Sequence, residues 1–208
     1  AAFAAARTAF RLGGNRVEGI LGESDSPLPP ERLLRVRELL HVALDKRGLS
    51  IEFQPLIPLR GTEAGRYAMI VNLADRREPL GGISRLEFVP VARELGLQKA
   101  IDRVLISQAL RALEDQRSLN RVRDLLLPLD FASVDDEQLA WMQSEFRQRA
   151  QLDQRLTLEF DASALIASAT ARRVLDRLRA DGIRLGAVER SARLGHLGEL
   201  VLLPLKVL

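Results

Sequence analysis

Residues able to do chemistry are thinly spread in this sequence. It contains no cysteine, so it offers neither a disulfide nor a thiolate metal site, and a reducing cytoplasm is the expected setting. Its two histidines, His41 and His196, are too little material for a histidine-based metal centre. His41 sits among apolar residues of a helical pattern and reads as a helix-surface or core-edge residue. Glu159 lies inside an apolar strand-like run and Lys206 near a strand end. Taken alone, Glu159 could simply pair with a neighbouring arginine and Lys206 could be a solvated lysine.

The bulk properties exclude several classes. The 208 residues suffice for one good-sized domain and part of another, and 47% hydrophobic with 28% charged residues is ordinary for a globular protein. The net charge is +3, but basic and acidic residues alternate, as between Glu31 and Arg37. A nucleic-acid surface usually shows a one-signed stripe with aromatic neighbours, and only 4% of residues are aromatic. No apolar run approaches the roughly 20 residues of a membrane span, and no signal-peptide layout opens the chain. The alanine-rich start, Ala1 to Ala6, resembles the middle of a helix, so the chain reads as an excised fragment.

The elements that would position any site follow from periodicity and breakers. Residues 3 to 12 read as a helix stopped by Gly13 and Gly14, and Arg16 to Ile20 as a brief strand. A link rich in Gly, Ser and Pro follows, from Gly22 to Pro30. Pro30 suits the first turn of a helix expected over residues 30 to 47. Strands are expected at 50 to 59 and 66 to 73, and helices at 88 to 95 and 100 to 114. Beyond these the pattern alternates: strand 124 to 130, helix 136 to 149, strand 155 to 160, helix 163 to 180, strand 183 to 188. A short helix near 194 to 200 and a strand at 203 to 208 end the series. Continuous apolar runs such as Leu125-Leu126-Leu127 suit strands covered on both faces. The alternation predicts a parallel α/β sheet, either open or closed into a barrel.

Several segments, in order, resemble the EAL domain, the cyclic di-GMP phosphodiesterase family. Phe53-Gln54-Pro55-Leu56-Ile57-Pro58-Leu59 is similar to its opening strand, and Phe88-Val89-Pro90-Val91-Ala92 to its "FIPxA" helix start. Gly96-Leu97, Ile101-Asp102-Arg103-Val104 and Gln108-Ala109-Leu110 resemble its next helix. Leu156-Thr157-Leu158-Glu159-Phe160 resembles its "LEITE" strand. Leu175, Leu178, Gly182, Ile183 and Arg184 resemble the segment before its paired aspartates, and Leu205-Lys206-Val207 resembles "LKID". Arg7, Ala9, Gly14, Asn15, Arg16 and Val17 resemble the end of a GGDEF domain. The resemblance implies an incomplete TIM-barrel-like EAL fold over residues 49–208. Before it would come a linker and connecting helix over 23–48 and a GGDEF remnant over 1–22.

It also implies a catalytically inactive member. Two-metal phosphodiester hydrolysis needs clustered oxygen ligands to hold the ions and generate hydroxide. The family's name-giving glutamate falls at Ala68, its following arginine at Asn72, and the second glutamate of "LEITE" at Ala162. The paired aspartates fall at Val188 and Glu189. Arg190-Ser191-Ala192-Arg193 has no counterpart of the glycine-rich loop that follows them. The family's asparagine falls near Asp130, with Pro128 as the rival position. Gln54, Asn72, Glu159 and Lys206 remain as ligand-binding candidates, with no metal, cofactor or catalytic residue expected. Pro58-Leu59-Arg60-Gly61 and Ile101-Asp102-Arg103 look most like FimX-type regulators of type IV pili. That implies a cytoplasmic cyclic di-GMP receptor or adaptor that docks a protein such as a PilZ-type partner and could form a homodimer. The alternative is a protein-interaction scaffold that no longer binds cyclic di-GMP.

Overall fold

A computed structural model describes residues 28–44, 48–57, 65–78, 82–118, 124–149 and 155–188. The expected GGDEF remnant, the strand at 16 to 20, most of the link, and everything from Glu189 onward, Lys206 included, lie outside these residues.

Pro30 opens helix α1 (Pro30–Ala43) at its first turn, where a missing N–H costs nothing. The helix buries Val36, Leu40 and Ala43. The chain then turns so tightly that Gly48 N–H bonds the Ala43 carbonyl at 3.0 Å. A Cβ at Gly48 would lie 2.5 Å from the Ala43 Cα, so only glycine fits. Strands β1 (Leu49–Leu56) and β2 (Arg66–Ala74) pair antiparallel. A three-residue strand β3 (Gly82–Ser84) pairs antiparallel with the far half of β2. Helices α2 (Arg85–Glu94) and α3 (Gln98–Ser118) follow. The alternating part then runs β4 (Asp124–Pro128), a single 3₁₀ turn (Phe131–Ser133), α4 (Asp136–Gln148), β5 (Leu156–Asp161), α5 (Ala162–Ala167), α6 (Ala171–Ala180) and β6 (Arg184–Val188).

The sheet order is β1-β2-β4-β5-β6, with β3 beside β2, and β2, β4, β5 and β6 are mutually parallel. The sheet is therefore mixed. The expected parallel part is present, but β1, β2 and β3 follow one another without a crossover helix and so pair antiparallel. The expected helix over 163 to 180 is two helices. The Asp161 carboxylate caps α5 through Ser163 and Ala164 N–H. Ser168 is extended, and its hydroxyl accepts from Thr170 N–H at 3.3 Å. That local bond competes with the helix ladder and breaks it. Strand β3 has no alternation long enough to read. A Cβ at Gly82 would lie 2.6 Å from the Leu73 carbonyl, so glycine permits the approach.

Residues alternate between two faces of the sheet. Met69, Val71, Leu73, Leu125, Leu127, Leu156, Leu158, Phe160 and Leu185 are buried together with Phe88, Ile101, Leu105, Leu110 and Phe146 of the helices. The other face carries the polar positions.

Candidate functional site

Strand register decides which candidates share a surface. Gln54 lies directly across from Ala68, and Asn72 lies between Ser50 and Ser84. Ala68 pairs with Leu126, and Leu126 with Thr157. Glu159, two residues further along, stands between Pro128 and Gly186. Paired residues point to the same side, so Gln54, Ala68, Asn72 and Glu159 all occupy the second face. Gln54 and Ala68 are cross-strand neighbours, whereas Asn72 and Glu159 stand apart from them. Asn72 is about 13 Å beyond Ala68 at roughly 3.3 Å per residue, and β5 is two strand spacings of about 4.8 Å from β2. Gln54 is exposed; Asn72 and Glu159 are half-buried. Val188 pairs with Asp161 on this same face, whereas Ala162 is buried in the first turn of α5. His41 is exposed on α1, in keeping with its reading as a surface residue.

A cleft of about 400 Å³ opens at the carboxyl ends of β4 and β5, walled by α2. In parallel α/β sheets this end of the strands is where ligands usually bind. Its apolar wall is Leu86, Val89 and Pro90. Pro90 has no N–H for the Leu86 carbonyl, so α2 loses one ladder bond at the cleft. Its polar side chains are those of Arg85, Arg93, Asp130, Asp161 and Ser163.

Asp130 caps the 3₁₀ turn by accepting from Ala132 N–H at 3.2 Å. Its carboxylate, 2% exposed, also takes both Nε and Nη2 of Arg93, the latter at 2.8 Å. The hydrogen bonds to Asp130 raise the pKa of Arg93 above the ordinary arginine value, against the opposing effect of burial. One edge of Arg93 still faces solvent, its side chain being 52% exposed. Phe131 packs edge-on against Phe160, ring centres 5.4 Å apart, and steadies this end of the sheet.

These groups do not fit a pair of divalent ions. Ala68 and Ala162 present methyl groups, Val188 is apolar, and both Asp130 oxygens are engaged by Arg93. No cluster of three carboxylates or histidines stands among the described residues. The arginines of the cleft were missed by sequence reasoning, although a signal existed. Arg85, Val89 and Arg93 are four apart along one helix and so share one of its faces.

A second cluster of charged groups ties α1 to the end of β2 and to α2. Arg35 of α1 grips Asp75 through two 2.9 Å bonds, and the Arg77 N–H adds a third at 3.1 Å. These hold the Asp75 carboxyl down at about 2 despite its burial. Arg32 bonds Glu87 of α2 at 2.8 Å and also pairs with Glu78. Helix α1 is thereby tied to the helix that walls the cleft.

Residues 37–208 match the EAL domain family. No curated protein sequence matches the chain. Among solved structures, the FimX EAL domain from Pseudomonas aeruginosa bound to c-di-GMP superposes with a TM-score of 0.70 at 22% identity, over 83% of this chain and 69% of that one. The FimX EAL domain from Xanthomonas citri in complex with c-di-GMP gives 0.67 at 23% identity, over 82% and 66%. The phosphodiesterase PaMucR in complex with c-di-GMP gives 0.72 at 18% identity, over 83% and 71%. The chain thus spans about two thirds of the length of the FimX domains. The FimX domains and the phosphodiesterase match its backbone almost equally well, so the backbone alone does not separate them. The family match over residues 37–208 and the TIM-barrel-like α/β arrangement agree: the chain belongs to the EAL domain family.

Proposed function

We propose that this EAL domain does not hydrolyse cyclic di-GMP and serves in its signalling as a receptor or adaptor that docks a protein partner. The observation that carries this reading is Ala68. It stands where the family places its name-giving glutamate, on the same face as Gln54 and Glu159, and a methyl group cannot hold a metal. Ala162 and Val188 extend the same deficit.

Binding needs less than hydrolysis does. The exposed edge of Arg93 can meet the O6 and N7 acceptors of a guanine, as arginine commonly does. The Leu86–Val89–Pro90 wall can take the ring face, and Asp161 can accept from amino protons. Two of the similar structures, the FimX domains, hold c-di-GMP, and a type IV pilus or motility role with a PilZ-type partner is the reading we favour.

Asn72 supports a second reading. An amide in place of the family's arginine removes a charge-assisted bond to the phosphate, and the domain could then be a scaffold whose groove stays empty. Calorimetry with cyclic di-GMP, with and without calcium, separates the two. We expect measurable heat; none at high-micromolar ligand would sink the receptor reading. Turnover with magnesium or manganese would sink the inactive-enzyme reading.

A further inference from the structure

Asp102 is a carboxylate that neither reading uses. It lies in the first turns of α3 and is 1% exposed. Gln98 Nε2 donates to its Oδ1 at 2.9 Å. Its Oδ2 lies 2.6 Å from the Ser133 hydroxyl oxygen. That same hydroxyl oxygen lies 2.7 Å from the backbone carbonyl of Asp130. Both are full hydrogen-bond distances, yet a serine hydroxyl carries a single proton.

The proton count therefore discriminates between the two states of Asp102. If it is ionised, both neighbours of the hydroxyl are pure acceptors, and one of the two short contacts has no proton in it. If it is neutral, Oδ2–H donates to Ser133 and Ser133 donates to Asp130, and every contact is satisfied. We propose that Asp102 is a positioning residue whose neutral form, populated in mildly acidic solution, completes a chain through Ser133 that holds the Asp130 turn, the cleft floor, against α3. This does not depend on what the cleft binds.

The surrounding charges agree in part. Burial pushes Asp102 up to about 6, and the Asp130 carboxylate adds to this. Arg85 of α2 opposes it, as would hydrogen bonds donated by Ser133 and Gln98 to an ionised carboxylate. Arg93, also on α2, interacts with Asp102 but is committed to Asp130. The folded value lies above that of an unfolded aspartate. The stabilisation is therefore complete below the unfolded value of about 3.9 and is lost as pH rises through about 6.

The test is thermal unfolding of the full chain between pH 4.5 and 8, wild type against Asp102→Asn. Asparagine keeps one acceptor for Gln98 and one donor for Ser133 and cannot titrate. We expect the wild type to lose stability relative to the variant as pH rises, leaving the variant at least as stable at pH 8. A stability difference that stays constant, or moves in favour of the wild type as pH rises, would overturn the proposal, because the neutral form would then hold no advantage. Should the variant not fold, carbon-13 NMR titration of the wild-type Asp102 carboxyl decides. An apparent pKa near 6 supports the proposal, and one at or below about 4, the unperturbed range, overturns it.

Discussion

The two faces of this sheet have the same strands and opposite contents. On one face, Leu125, Leu127, Leu156, Leu158 and Phe160 are almost fully buried against the helices. On the other, the register aligns Gln54, Ala68, Asn72 and Glu159, and the sequence resemblance sets Ala68 and Asn72 where the family would carry a glutamate and an arginine. Packing constrains the first face through volume, because a lost methylene leaves a cavity. The second face is packed only in part: Leu126 and Thr157 are buried there, whereas Gln54 is exposed and Asn72 and Glu159 are half-buried. On the proposed reading, the domain keeps the backbone of its family while the second face has lost groups that hydrolysis would need.

Paired substitutions on adjacent residues of β5 test that contrast most strongly. Leu158→Ala should cost about 2–5 kcal/mol, read as a lowered urea midpoint, whereas Glu159→Ala should cost less than about 1 kcal/mol. Equal losses would break the comparison. Next in size is Asn72→Arg. Returning a guanidinium to the second face should raise cyclic di-GMP affinity by about 1.5–3 kcal/mol, roughly ten- to over a hundredfold, in calorimetry. An unchanged affinity would mean that Asn72 does not face the phosphate. Ala68→Glu alone should leave hydrolysis undetectable by chromatography, since one carboxylate does not make a two-metal site; turnover would show that only that ligand was missing.

The smallest expected effect concerns the helix layer over the apolar face. Asp75 has its pKa lowered to about 2, first by its bonds to Arg35. For a lowered acid, stability is present above the unfolded pKa and lost as pH falls toward the folded one. Arg35→Ala should therefore melt at a lower temperature than wild type at pH 6, with the gap closing as pH falls from about 4 toward 2. A gap independent of pH would place the effect of Arg35 in packing rather than charge.

Much of the fold was legible because apolar periodicity is local. The runs at Leu125 to Leu127 and Leu156 to Phe160 announce strands, and the apolar stripe from Ile101 to Leu113 announces α3, which extends a few residues beyond its expected ends. Strand β3 escaped notice because three residues carry no period. The break in the helix expected over 163 to 180 came from serine and threonine hydroxyls competing for the backbone at Ser168 and Thr170. Of the site, the positions lacking carboxylates could be read directly, and register then placed Gln54, Asn72 and Glu159 on one face. Glu189 and Lys206 lie outside the described residues.

What the sequence determined by itself is therefore the list of groups present, the order of elements and the resemblance that names the family. Those properties belong to single residues or to spacings within one element. Only the tertiary structure decided that Arg93 holds Asp130, that Arg35 holds Asp75, and that Ser133 is shared between Asp102 and the Asp130 carbonyl. The first two pairs join residues 37 and 40 positions apart, and Asp102 reaches Ser133 across 31. Helical and strand periods specify which face a side chain takes, but the neighbour it meets there is set by how separate elements pack.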